Sequence, residues 1–407
     1  LVEVAVVGGG VCGLFCGLIL AEHDVEVAIF EEHPSIGKPS HCAGHLSIKN
    51  LEQLGFYPLP KGILENEYKG AFFYSPTGNS FKVEFDSPVT CSVNRESFDK
   101  FVAELALKAG VKVHLKTYVK SLVIRNRQVK GININYDGKL KHVNVKMVVD
   151  AEGVSSRILR QVGLQTLNRS MVVNGVSAET ERVKNLNEDF IEVYFGNAYA
   201  PGFYAWIMPR KDGTAKIGLA TKQGNPKQFL DKFKQKHPVA SKKLDGAKIV
   251  QKTFHPITLG GFIPQSFSEG FIVVGDAASQ VKPTTGGGVI LGMNCAKIAA
   301  ETIHKALKKR DFSAKVLSEY QRRCRKLMGF DMRVMFWMRK IFDKLSDSQI
   351  DKLILKCQSL GLSETLGKVQ DIDFQGRSIA RIAWQPSIIS FGLYLIFEVL
   401  FSQKPFN

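Results

Sequence analysis

Three glycines constrain this chain more than any other feature. Gly8, Gly10 and Gly13 stand in the spacing G-x-G-x-x-G, directly after the apolar run Val2–Val7 and at the mouth of a helical stretch, Val11–Glu22. An apolar run without alternation, ending in glycine, is the pattern of a strand buried on both faces of a parallel sheet. Val25–Phe30 reads as a second such strand, so the opening is β-α-β within about 30 residues. The tight turn needs Gly8, Gly10 leaves room for a ligand's pyrophosphate, and Gly13 lets helix and strand pack closely. Free N–H groups at the helix start favour that anion. Glu31 lies eighteen residues after Gly13, at the end of the second strand, placed to accept from ribose hydroxyls. Together these predict a doubly wound, dinucleotide-binding start.

The rest of the chain changes character. Lys69–Phe85 reads as a hairpin turning at Pro76–Asn79, and Arg95–Ala109 as a helix ended by Gly110. Val111–Leu115 is a strand, and Val119–Val149 a three-stranded meander with turns at Asn126–Gln128 and Asp137–Gly138. Phe190–Phe195, Tyr204–Pro209 and Ala215–Thr221 suit a second, antiparallel sheet. Phe271–Val274 returns to the buried-strand pattern. A helix follows from about Gly287 to Lys308, and beyond Phe312 the spacing is helical almost to the end.

Two further motifs carry chemistry. Gly275-Asp276-Ala277-Ala278 follows Phe271–Val274, so its carboxylate sits at a strand's C-terminal end, where open sheets bind ligands. Asp276 there holds the hydroxyls of a ribityl chain or caps a helix. Pro283-Thr284-Thr285-Gly286-Gly287-Gly288 exposes consecutive N–H groups at a helix start, a site for an anion or for the electron-rich edge of a reduced flavin.

Taken with Arg95 at a helix start, this layout resembles the para-hydroxybenzoate hydroxylase class of flavoproteins. Within that class the chain is similar to the geranylgeranyl reductase family. The closer likeness rests on His41-Cys42-Ala43-Gly44 with Leu46-Ser47, on Pro201-x-x-Tyr204-x-Trp206-x-Met208-Pro209, and on Lys282-Pro283 leading into the glycines. It runs from residue 1 to about 310 and more loosely beyond. The class carries Asp-Gly where this chain has Glu152-Gly153, while Ser156 and Arg160 fit.

The resemblance implies FAD as cofactor, with Gly8, Gly10, Gly13, Glu31, Cys42, Arg95, Gly275, Asp276, Gly286, Gly287 and Gly288 around it. It implies an apolar channel for a polyprenyl chain lined by Pro201, Tyr204, Trp206 and Pro209, with Tyr204 or Cys42 as pocket group or proton relay. The expected fold class is α/β. A discontinuous Rossmann-like FAD-binding domain (1–50, 91–168 and 266–310) joins an antiparallel-sheet substrate domain (51–90 and 169–265) and a C-terminal helical region (311–407).

The expected function is saturation of the C=C bonds of geranylgeranyl chains on glycerol ether phospholipids. An alkene of this kind gives a base or nucleophile nothing to grip, so the hard step falls to a cofactor that delivers a hydride. An aromatic hydroxylase and a cluster-free flavoprotein passing electrons to quinone are the competitors. Pro201–Pro209 and the lack of a second G-x-G-x-x-G argue against the first, and no cysteine set suits an iron–sulfur cluster. The electron donor is a ferredoxin, NAD(P)H or a deazaflavin.

Composition adds partners. Lys+Arg 55 against Asp+Glu 38 leaves +17, spread along the chain and not gathered in a tail. That sign favours phospholipid headgroups or an acidic redox protein, and no nucleic-acid partner is expected. Seven cysteines at no zinc-ligand spacing predict neither a disulfide framework nor a metal site. His41, Cys42 and His45 lack a second ligand pair, and packing accounts for Cys12 and Cys16. A bridge between Cys295 and Cys324 stays open. No signal peptide precedes the first strand, and a cytosolic protein, peripheral on the membrane face, is expected. Ser387–Phe401 is the longest apolar run, with Glu398 inside it and Lys352, Lys356 and Lys404 offered nearby. It is too short to span and reads as core, channel cap or membrane contact.

Overall fold

A computed structural model describes residues 2–369 and 371–401, with side chains in the last helix described as far as Glu398. Lys404 lies outside the described residues. The chain forms two compact units, each from three segments: Leu1–Ser40, Asn94–Ser170 and Thr258–Met332, and then His41–Val93, Met171–Ile257 and Arg333–Asn407.

The first unit is built on a six-stranded sheet. Its order is Phe267–Ser268, Phe271–Val273, Met147–Asp150, Val4–Val7, Val27–Phe30 and Lys112–His114. All neighbours run parallel except the Phe267–Ser268 edge. The four-residue strands are buried throughout, as an unalternating apolar run requires when both faces of a sheet are covered. One face meets a three-stranded antiparallel sheet of Thr117–Arg125, Gln128–Tyr136 and Lys139–Asn144. Ala5, Val7, Ala28, Phe30, Val148 and Val273 pack there on Val119, Leu122, Val129 and Ile132. The helix Val11–Ala21 lies close enough on the sheet that a Cβ on Gly17 would fall 3.0 Å from Ile29. The meander expected over Val119–Val149 therefore stops short. Met147–Asp150 is a continuous buried run, and it joins the parallel sheet beside Val4–Val7.

The second unit holds a seven-stranded sheet in the order Lys248–Thr258, Val172–Glu181, Ala215–Thr221, Tyr204–Pro209, Phe190–Phe195, Gly70–Tyr74 and Ser80–Glu84. Tyr204–Pro209 pairs antiparallel with both neighbours, and the hairpin of Gly70–Tyr74 with Ser80–Glu84 is in place. Phe190–Phe195 and Gly70–Tyr74 run parallel. A core of Val176, Tyr194, Ala205, Ile207, Ile217 and Leu219 covers one face together with Leu230 and Phe233 of the helix Pro226–Lys236.

Several expected boundaries move. Residues 41–50 belong to the second unit, because His45–Ser47 pairs with Thr90–Val93, which also pairs with Leu64–Tyr68. The first unit resumes at Thr258, ahead of the expected 266. Residues 311–407 are not a separate region. The division falls inside the helix Ala314–Phe342: Tyr320 donates to Val273 O at 2.7 Å in the first unit, while Leu345, Ile350 and Leu353 form a core with Phe73 and Phe81 in the second. All seven cysteines are free thiols, so Cys295 and Cys324 are not bridged.

Candidate active site

The glycine turn has the shape its spacing predicts, and contact distances assign each glycine a task. Gly8 has φ +102°, and a Cβ there would lie 2.4 Å from the carbonyl oxygen of Ala151. A Cβ on Gly13 would fall 2.2 Å from Gly8 O, so that position seals helix to strand. Gly10 differs: it caps the helix with extended backbone (φ −74°, ψ 169°), and a Cβ there would meet nothing within 4 Å. The space over the helix N-terminus is therefore open, as a pyrophosphate needs.

Glu31 braces the turn. Its Oε2 accepts from Gly9 N–H at 2.7 Å, and its Oε1 accepts from His33 N–H at 2.9 Å and faces His33 Nδ1 at 2.5 Å. A carboxylate has about four acceptor sites, so capacity remains for ribose hydroxyls. Beside the turn, Glu152 works locally. It accepts from Ile158 N–H at 2.5 Å and from Ser155 Oγ at 2.9 Å, while its own N–H donates to Asp150 Oδ1. The residue that departs from the class pattern thus organises its own loop. Ser156 sits next to it in left-handed backbone, its buried Oγ without a partner among the described residues, and Arg160 is exposed.

Arg95 opens the helix Arg95–Lys108 and is clamped one turn on by Asp99. Nη2 donates to Oδ1 at 3.0 Å and Oδ2 at 3.2 Å, and Nε to Oδ1 at 3.2 Å. Burial pushes the Asp99 carboxyl up, and the guanidinium pulls it back. Asp276 feels the same pair of forces, burial first and Arg95 against it. A Cβ on Gly288 would fall 2.9 Å from Asp276 Oδ1, which puts the carboxylate at the start of the helix Val289–Lys309. Lys282 N–H donates to Gly287 O and Gly286 N–H to Lys282 O, so the glycine loop closes on itself. The thiol of Cys12 fills a slot between Gly275 and Gly292, and burial pushes it well up.

Three partners in this set are not evident from motif reading. Asp99 has a signal, an acid four residues after Arg95 on one helix face. Gln280 and Tyr320 have none. Gln280 Oε1 accepts from Gly275 N–H at 2.7 Å, and its amide donates to Tyr320 Oη at 2.6 Å, which anchors the Gly-Asp turn from forty residues away.

The second unit holds the other expected residues. Tyr204 and Trp206 are two apart on one strand and share a face, opposite the core-facing Ala205 and Ile207. Their rings meet edge to face at 5.9 Å, and Tyr204 stacks on Phe203 at 4.2 Å. Burial pushes the Tyr204 phenol well up, with Arg339 opposing. Trp206 lies over Gly218, its cross-strand partner, where a Cβ would fall 2.3 Å from the indole. Its Nε1 is buried without a partner among the described residues. Cys42 is exposed, and its sulfur accepts from Gly44 N–H at 3.4 Å. His41 stacks on His255 at 5.0 Å. Among the described residues no group of three or more His, Cys, Asp or Glu is arranged to hold a metal. Pro201 O accepts from Lys222 N–H. Pro209 is buried at the end of the strand, its carbonyl taken by Tyr68 Oη at 2.7 Å and Asn66 at 3.0 Å.

An open cradle at a helix N-terminus, a braced acid, a clamped arginine and a carboxylate at a glycine loop fit the pyrophosphate, ribose and ribityl groups of FAD. The FAD binding domain family matches residues 1–329. The chain is 32% identical to the digeranylgeranylglycerophospholipid reductase of Methanocaldococcus jannaschii over 96% of this chain and 97% of that one. It is 31% identical to the protein of that name from Methanosarcina acetivorans, over 86% and 87%. The crystal structure of a geranylgeranyl bacteriochlorophyll reductase-like protein from Thermoplasma acidophilum superimposes with a TM-score of 0.86 at 25% identity, covering 97% of this chain and 98% of that one. The chain belongs to the FAD binding domain family and, within it, to the digeranylgeranylglycerophospholipid reductases.

Proposed function

We propose that this protein is an FAD-dependent reductase that saturates the C=C bonds of geranylgeranyl chains on archaeal-type glycerol ether phospholipids. The observation that carries the proposal is identity of 32% spread over 96% of the chain to a reductase named for that substrate. When bound and reduced, FAD supplies a hydride from N5. The residues supply the rest. The N–H groups at Gly10 and the helix Val11–Ala21 hold the pyrophosphate, and Glu31 takes the ribose. Asp99 keeps Arg95 extended toward the phosphate and ribityl region, and Asp276 takes the ribityl hydroxyls. Gly288 presents its N–H to the electron-rich edge of the ring system, while Gly286 N–H, taken by Lys282 O, and Gly287 N–H, turned to Thr285 Oγ1 at 3.5 Å, hold the shape of the loop.

Tyr204 and Trp206 give a prenyl chain an aromatic surface on which to shed water. Each double bond gains a hydride on one carbon and a proton on the other. Tyr204 and Cys42 are the proposed proton relay. A phenol whose ionisation is held so far up by burial stays neutral at working pH, so Tyr204 orients a proton more readily than it releases one. Cys42, with its exposed thiol, is the better route for replenishment from water. Electrons return to the flavin from an outside donor, and +17 net charge favours an acidic redox protein of the ferredoxin kind.

The test is anaerobic. The chemically reduced protein is mixed with a geranylgeranylated glycerophospholipid, and the lipid is read by high-resolution mass spectrometry. Gain of hydrogen pairs with flavin reoxidation is expected. Oxygen insertion into an aromatic in air with NAD(P)H, or rapid quinone reduction without any change in the lipid, would replace the proposal with a hydroxylase or an electron carrier.

A further inference from the structure

We infer that the hairpin of the helices Gln375–Ile382 and Pro386–Phe401 is a membrane-docking surface that lies flat in the headgroup layer of an anionic lipid bilayer. This surface stands independently of the reductase reading. The two helices are bent by 112° at the break between them, and no single helix among the described residues is long and apolar enough to cross a membrane.

The second helix has two apolar faces. Phe391, Tyr394 and Leu395 pack on Leu345, Ile350, Leu353 and Ile354 of the same unit. Ile389, Leu393, Ile396 and Phe397 recur at helical spacing on the other side, and all four are exposed, Leu393 by 64%. At the bend stands Trp384, 74% exposed. Large apolar side chains gathered on one outward stripe mark an interaction site, whereas scattered ones do not. A helix fixed to protein along one side cannot cross a bilayer, but it can sink its exposed side to the acyl boundary. Tryptophan prefers that depth, with its ring partly apolar and its N–H wet.

Charge selects the occupant. Between Gln375 and Phe397 the charged residues are Arg377 and Arg381, both positive and both exposed on the first helix. The flanking acids are turned inward. Asp373 is buried against Asn50, and Glu398 is buried against Tyr394 and Lys352. A second copy of this chain seated on the same face by twofold symmetry would set like charges together. An anionic headgroup layer neutralises them.

The test uses the flavin-loaded full chain and sedimentation with vesicles. Phosphatidylglycerol vesicles should carry the protein down roughly tenfold more effectively than phosphatidylcholine vesicles, with the difference fading at high salt. Leu393→Glu with Ile396→Glu should lose binding to phosphatidylglycerol about tenfold or more while keeping bound flavin. Arg377→Gln with Arg381→Gln should remove the preference for anionic lipid. Should the glutamate variant misfold, brominated-tail lipids serve instead: they should quench the wild-type tryptophan emission, and Trp384→Phe should remove most of that quenching. Equal sedimentation of the glutamate variant and wild type, quenching unaffected by Trp384→Phe, or a dimer that the glutamate variant dissolves would overturn the inference. Turnover of detergent-dispersed lipid should be unchanged in the glutamate variant. Loss of turnover in the wild type would count against the reductase reading and leave the vesicle result standing.

Discussion

At the scale of single residues, the glycines of the turn differ in what a side chain would strike. At Gly13 it strikes backbone, 2.2 Å from Gly8 O. At Gly10 it enters open space from a backbone conformation any residue adopts. Gly13→Ala should therefore cost about 1–3 kcal/mol of stability through overpacking, and lose flavin with it. Gly10→Leu should purify colourless while keeping the thermal midpoint of wild-type protein stripped of flavin. Melting curves and the flavin-to-protein absorbance ratio decide it. If Gly10→Leu binds FAD normally, the pyrophosphate lies elsewhere. These positions are legible in the sequence because the motif encodes backbone geometry directly. The clamp of Arg95 by Asp99 is legible only as a helical spacing. The Gln280–Tyr320 anchor is not legible at all, since nothing local in either residue specifies a partner forty positions away.

At the scale of elements, the strand Tyr204–Pro209 alternates, so its aromatic face is readable from sequence, whereas the glycine beneath it is not. Gly218 stands in a strand buried along its whole length, and only the cross-strand register reveals Trp206 lying over it. Trp206→Ala should lower lipid turnover roughly tenfold or more with flavin retained. Tyr204→Phe should lower turnover while keeping the ring stacked. Release of flavin in either variant would place this strand wrongly in the account.

A second elemental feature is the buried ring of His237, at the end of the helix Pro226–Lys236. Its Nδ1 accepts from Val239 and Ala240 N–H, both at 3.2 Å, so Nε2 carries the hydrogen that Ser75 O accepts, also at 3.2 Å. That pattern requires the neutral ring, and burial lowers its pKa from 6.5 to about 4. A depressed histidine contributes stability that is present above the unfolded value and is lost as pH falls toward the folded one. Over that window the loss is about 3 kcal/mol. Denaturant melts at pH about 7 and about 4 should show it, and His237→Gln should flatten that part of the difference. An unchanged slope in the variant would assign the acid sensitivity elsewhere.

At the scale of the whole molecule, the presence of two kinds of sheet is written in the change from unbroken to alternating apolar runs. The boundaries between units are not, because they depend on pairing partners. Residues 41–50 follow the first unit in sequence, yet His45–Ser47 hydrogen-bonds to Thr90–Val93. The division near Met332 falls in mid-helix, where no proline or change of composition announces it and Gly329, three residues before, leaves the helix unbroken.

The central claim is that flavin held by the first unit spends its electrons on a prenyl double bond. The direct measurement is single-turnover stopped-flow without oxygen: photoreduced protein is mixed with digeranylgeranylglyceryl phospholipid while the flavin's visible absorbance is followed. Oxidised flavin should return with one double bond saturated per flavin. Flavin that stays reduced in the presence of the lipid and reoxidises only when oxygen is admitted would contradict it.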